Sequence, residues 1–281
     1  MGGADRPLPR LKIARGLSAD RLREQLEVVE RVNDLLGDGF RLLTGIECDI
    51  LDDGTLDQEP ELLDRLDVVV ASVHSKLRMD GEAMTRRMVV AAADPLVDVL
   101  GHCTGRLVTG RGRPESSFDA DMVFAACARF GTAVEINSRP DRLDPPRRLI
   151  RRALDAGTLF AIDSDAHAPG QLDWQIFGCA RAEECGVPAG RIINTFTAEQ
   201  LATWTRTRET PEATPGATAK GGPDGTPGAT AKGGPDGTPG AAPGAPARRA
   251  PRTRRTRTAS GTREEAGPRE EAGRRKAADG D

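Results

Sequence analysis

Over the first 210 residues, short apolar runs ending in a polar residue alternate with stretches of helical periodicity. In residues 17–36, Leu22, Leu26, Val29, Val32 and Leu36 fall on one helical face, Ser18 is placed to cap the first turn and Gly37 to end the last. The following run, residues 40–50, predicts a buried strand. The unit then recurs: residues 67–74, 97–102, 132–137 and 158–165 are short, apolar and rich in β-branched side chains. Helical patterns over 83–93, 119–130 and 146–156 separate them, and 191–194 reads as a last strand. Strands alternating with helices of this length predict an α/β fold with a parallel sheet, and runs this apolar fit a sheet covered on both faces.

Composition changes sharply near residue 210. All nine aromatic residues lie between Phe40 and Trp204, whereas residues 211–281 hold ten of the 20 prolines and no aromatic. Thr-Pro-Gly-Ala-Thr-Ala-Lys-Gly-Gly-Pro-Asp-Gly fills residues 214–225 and repeats unchanged over 226–237. A repeat without an apolar face has nothing to stack, so residues 1–208 are expected to form the folded domain and 209–281 a disordered tail. Residues 211–281 carry 13 Lys+Arg against nine Asp+Glu, and the overall charge is −3, which excludes a uniformly basic nucleic-acid binder. Residues 248–257 hold six arginines and no acid, a candidate for weak contact with nucleic-acid phosphates or simply a solvated product of an Arg-rich composition. Five cysteines without a CxxC pair, and no apolar run of membrane-spanning length, lead to the expectation of a reduced, cytoplasmic protein with no membrane partner.

In parallel α/β folds the carboxyl ends of the strands collect the functional groups. Glu47, His74, His102, Asn137, Asp165 and His167 all take such positions, and every one of the three histidines follows a strand. Singly, each has an ordinary reading: a core histidine bonded to a carbonyl, a solvated strand end, or an aspartate orienting a surface imidazole. On an extended segment Asp165 and His167 would project to one side, with Ala166 facing away. Together, three imidazoles and two carboxylates form the ligand set of a polynuclear site for zinc, manganese or iron. Arg106, Lys76 and Arg139 are candidates to neutralise phosphate oxygens, and metal-assisted phosphoester hydrolysis follows as the reaction class.

These residues lie in segments that carry a resemblance. Gly45-Ile-Glu47, Ser72-Val-His74-Ser75, Gly101-His102-Cys-Thr-Gly-Arg106-Leu107, Glu135-Ile-Asn137-Ser-Arg139-Pro-Asp-Arg142-Leu143 and Asp163-Ser-Asp165-Ala-His167 resemble, in order, later motifs of the PHP (polymerase and histidinol phosphatase) domain, with the flavour of the one attached to bacterial X-family DNA polymerases. The resemblance implies a distorted seven-stranded β/α barrel holding up to three divalent ions, with Glu47, His74, His102, Asp165 and His167 as metal ligands. It implies a phosphoesterase acting on DNA 3′ ends, as exonuclease or 3′-phosphatase in repair, or on a small phosphate ester as histidinol phosphatases do. The family's opening His-x-His strand, its next metal histidine and its Asp-His strand have no counterpart here, so the first two strands and four of nine ligands are missing. A start upstream of Met1 and a degenerate, non-catalytic copy or nucleic-acid-binding adaptor are the two explanations.

Overall fold

The computed structural model describes residues 18–209; the tandem repeat, the arginine block and the tail expected over 209–281 lie essentially outside them. In chain order the helices and strands are α1 (Ala19–Leu36), β1 (Gly45–Asp49), α2 (Pro60–Leu63), β2 (Val68–Ser72), α3 (Gly81–Ala93), β3 (Val99–Leu100), α4 (Ala120–Phe130), β4 (Ala133–Asn137), α5 (Arg147–Asp155), β5 (Phe160–Asp163), α6 (Gln175–Glu184) and α7 (Ala198–Thr207). Local chemistry sets the boundaries. Ser18 accepts the Arg21 N–H at the head of α1, and Asp80 and Asp119 do the same for α3 and α4. Each such cap contributes about 1 kcal/mol. Gly131, in the left-handed conformation, closes α4.

The five strands are all parallel and lie in the order β1-β2-β3-β4-β5. Every crossover therefore moves one strand in the same direction, and α4 packs between α3 and α5 in step with the strands. The two faces of the sheet differ. Ala71, Leu100, Val134, Ile136, Phe160 and Ile162 belong to the main core, which they share with Met84 and Met88 of α3, Phe124 of α4, Ile150 of α5 and Ala182 of α6. The alternate positions face the other way. Near the amino ends of the strands that second face is apolar: Val99, Ala133 and Ala161 pack with Trp204 of α7, which is fully buried. Towards the carboxyl ends it turns polar, with Glu47 and Asp49 on β1, Ser72 on β2, Glu135 and Asn137 on β4 and Asp163 on β5. This polar layer is where the site lies.

Three expectations are corrected. Residues 40–44 do not extend β1: the Leu42 backbone pairs with the Asn33 side chain at 2.7 and 2.9 Å, and Thr44, whose carbonyl accepts from the Asp67 and Val68 N–H groups, is otherwise held by the Asp67 carboxylate. Residues 191–194 form no strand but two 3-10 turns with a single bridge, Ile192 to Phe160. There the Asn194 amide accepts from the Ile162 N–H and donates to its carbonyl, both at 2.8 Å, satisfying the β5 edge as a strand would. Asp165 is not extended either, its φ of +47° placing it in the left-handed region.

Candidate metal centre

Glu47 on β1, His74 just beyond β2 and His102 just beyond β3 offer three ligand atoms that all lie within 4.8 Å of one another. The sheet register brings this about: Glu47 pairs with Val70 and Val70 with Val99, so the carboxyl ends of three neighbouring strands meet at one level. His74 Nε2 stands 3.3 Å from Glu47 Oε1, His102 Nδ1 3.6 Å from the same oxygen, and the imidazole centroids are 5.2 Å apart. Gly101 permits the approach, because a Cβ there would collide with the Ser72 hydroxyl and lie 2.9 Å from Val70 Cγ1.

Each imidazole is backed by a carboxylate from an adjacent strand. Asp49 accepts the backbone N–H of His74 at 3.1 Å and stands 3.7 Å from its Nδ1. Glu135, 3% exposed, accepts the backbone N–H of His102 and lies 3.2 Å from its Nδ1. Such carboxylates fix the orientation of metal-binding imidazoles. Nε2 of His102 and Nδ1 of His74 are both buried without a hydrogen-bond partner, so Asp49 faces the His74 ring as a charge at 3.7 Å, and the unpaired His102 nitrogen suits a metal donor. Desolvation works to raise the Glu47 carboxyl, but its hydrogen bond to His74 and the charges of His102 and His74 hold it at about 2. Desolvation likewise opposes charging of His74, yet Asp49 and Glu47 raise it to about 9. Two nitrogens and an oxygen, with negative charge gathered around them, suit zinc, manganese or iron.

A polar chain runs from this cluster across the sheet. Asn137 donates to Glu135 Oε1 at 3.0 Å and to Asp165 Oδ2 at 3.2 Å. Burial, then the Glu135 charge, push the Asp163 carboxyl well above the usual carboxylate range, while at Glu135 desolvation is outweighed by the hydrogen bond and charge of His102, which hold the carboxyl low. Asp165 faces inward to this chain and to Arg142 and Arg139, at 3.3 and 3.6 Å. His167 is 58% exposed, its Nδ1 2.9 Å from the Asp165 carbonyl and 3.5 Å from Arg139. The two meet through a turn and stand outside the tight three-residue cluster.

The cations divide in the same way. Arg139 sits over the Trp174 ring, 5.9 Å from its centroid, beside Asp141. Arg106 braces the rim, donating to the Arg142 and Leu143 carbonyls with Glu115 3.7 Å away, and the exposed Lys76 pairs with Asp52. Sequence reasoning passed over Asp49, Glu135, Asp163 and Arg87. For Glu135 and Asp163 a signal existed: each lies two residues before a residue read as part of the site, on the same side of its strand or its extension.

No protein-family profile matches the chain. Over 184 residues, 66% of this chain, it is 34% identical to the DNA polymerase/3′-5′ exonuclease PolX of Bacillus subtilis (strain 168), of which it spans 32%. It is 31% identical over 175 residues to a "Probable phosphatase" of Thermoanaerobacter sp. (strain X514), covering 56% of this chain and 65% of that protein. With a "Probable phosphatase" of Citrobacter koseri the identity is 30% over 174 residues, 58% of this chain and 67% of the relative. The ordered motifs, the strand-end cluster of Glu47, His74 and His102, and these relatives agree: the chain belongs to the PHP family.

Proposed function

We propose that this protein is a metal-dependent phosphoesterase acting on DNA 3′ ends, and that Glu47, His74 and His102 hold one divalent ion, zinc, manganese or iron. The convergence of these three side chains within 4.8 Å at the carboxyl end of the sheet carries the proposal. When bound, such an ion supplies Lewis acidity, lowering the pKa of a coordinated water and polarising a phosphoryl oxygen. Glu47 and the imidazoles provide the donors, while Asp49 and Glu135 hold the rings in place. Asp165 and His167 are the ligands proposed for further ions, up to three in all, and Arg139, Arg106 and Lys76 the groups that meet phosphate oxygens. Of these, Arg139 stands nearest Asp165 and His167. The DNA preference draws on the PolX relative, and a small phosphate ester is the alternative substrate that the phosphatase relatives favour.

The one-directional strand order and the polar second face support placing these five strands as an arc of the distorted seven-stranded β/α barrel. We place the end of the domain at residue 208, where Arg208 turns left-handed after α7. Among the described residues no helix is long and apolar enough to cross a membrane, and five free thiols, four of them buried, suit a reducing cytoplasmic setting.

The test is incubation of the full chain with 3′-phosphorylated and 3′-hydroxyl DNA in added Mn²⁺ or Zn²⁺. Release of phosphate or nucleotide that is lost in His102→Gln and Glu47→Gln supports the proposal. Release from a small ester alone would move the substrate to the phosphatase alternative, and release from neither would sink the enzymatic reading.

A further inference from the structure

Arg87 of α3 is a cation hidden in the protein, its side chain fully buried, with no carboxylate closer than 3.9 Å. Burying a guanidinium is costly unless its donors are satisfied, and an apolar side chain of similar volume would fill the same space without that penalty. What the guanidinium does there is geometric. Nε and one terminal nitrogen donate to the Ile50 carbonyl, the first at 3.0 Å. The other terminal nitrogen donates to the Ser75 carbonyl at 2.9 Å, and the terminal nitrogen on Ile50 also donates to the Ser75 hydroxyl at 3.2 Å. Ile50 directly follows Asp49 at the end of β1, and Ser75 directly follows His74 beyond β2. One rigid fork thus holds the backbone next to the carboxylate that supports His74 and the backbone next to His74 itself, with Asp49 Oδ1 3.9 Å from the same guanidinium.

We propose that Arg87 is a positioning residue that sets the His74 imidazole against Glu47 by locking together the chain segments that leave β1 and β2, with Asp49 as the link between guanidinium and ring. The role is specific to arginine, because the ammonium of a lysine is a single point that cannot span two carbonyls as a planar fork does. Ser75 and Ile50 are backbone partners, so the device acts on the register of the two segments rather than on a side-chain rotamer alone. Its consequence for the ion depends on the metal reading given above, but its effect on the imidazole does not.

Three histidines in the whole chain make that effect directly readable. Full-length protein labelled with ¹⁵N only in histidine gives three ring spin systems, assigned with His102→Gln and His167→Gln. In chelated wild type the His74 ring is expected to give one sharp, pose-locked pair of nitrogen signals. Arg87→Lys should shift or broaden that pair while leaving the His167 pair unchanged, and should weaken Co²⁺ binding by about 10- to 100-fold, the usual loss when a supporting residue of a metal ligand is removed. Asp49→Asn, which preserves shape, should perturb the same ring and stands in if Arg87→Lys does not fold. An unchanged His74 pair in a folded variant of either kind overturns the proposal. A wild type that binds no Co²⁺ contradicts the metal reading alone, since the ring signals then still decide the role of Arg87.

Discussion

Glu135 and His102 are joined twice: the carboxylate accepts the histidine's backbone N–H and lies 3.2 Å from its ring Nδ1. Both residues are buried, so the contact fixes where the imidazole points. Glu135→Gln leaves one acceptor oxygen for two sides, so its NH2 must face either His102 or the Asn137 NH2, and the ring loses part of its support. The expected result is metal affinity lower by about 10- to 100-fold with the far-UV circular dichroism unchanged, measured by titration against a chelator of known affinity.

Gly101 occupies the seam between β2 and β4. Gly101→Ala would press a methyl group into the Ser72 hydroxyl and within 2.9 Å of Val70 Cγ1. Overpacking of this kind costs about 1–3 kcal/mol, and here it would also displace the next residue, His102. Urea unfolding should show the stability loss, and metal affinity should fall with it. Wild-type values of both would mean that the strands have room to spare.

The His74–Glu47 pair makes the metal-free protein respond to pH in a defined window. His74 is raised from its ordinary 6.5 to about 9, so its stabilising contribution is fully present below pH 6.5 and is lost as pH rises through about 9. Glu47 is lowered from 4.5 to about 2, so its contribution is present above pH 4.5 and is lost as pH falls through about 2. The urea-midpoint difference between chelated wild type and His74→Gln should therefore be largest at pH 5–6 and shrink towards pH 9. Because binding an ion expels the His74 proton, metal affinity should rise with pH over the range from 6.5 to 9. A difference that is flat with pH would contradict the pairing.

Asn194 serves the free side of β5 with its side-chain amide. Asn194→Ala would leave the Ile162 N–H unserved, at a cost of about 1–3 kcal/mol. It would also open a strand edge to pairing with other chains. Lower thermal stability and faster aggregation on light scattering are expected, with metal affinity of the remaining native protein unchanged.

The regular elements were legible where local chemistry decides them: Ser18 caps α1, and the apolar runs at 68–72, 133–137 and 160–163 are strands. Residues 40–44 misled because their partners, Asn33 and Asp67, are side chains that lie far off in any strand pattern. Glu47, His74 and His102 were legible as strand-end residues, and the sheet register brings them together. Glu135 and Asp163 were harder, since each interrupts an apolar run whose other face is the helix-covered core. Asp165 was seen, but its left-handed backbone turns its carboxylate to Arg142 as well as to the exposed His167, which it meets through a turn rather than on an extended segment. Arg87 left no mark in the sequence, as an arginine on a helix is ordinarily solvated and only the tertiary fold buries it.

Metal content after equilibrium dialysis tests the account most directly. Full-length protein, stripped with chelator and dialysed against Zn²⁺ or Mn²⁺, should retain at least one ion per chain by elemental analysis, and His102→Gln and Glu47→Gln should retain at least one fewer. Equal retention by wild type and both variants, or none by wild type, would contradict the assignment of Glu47, His74 and His102 as the metal centre.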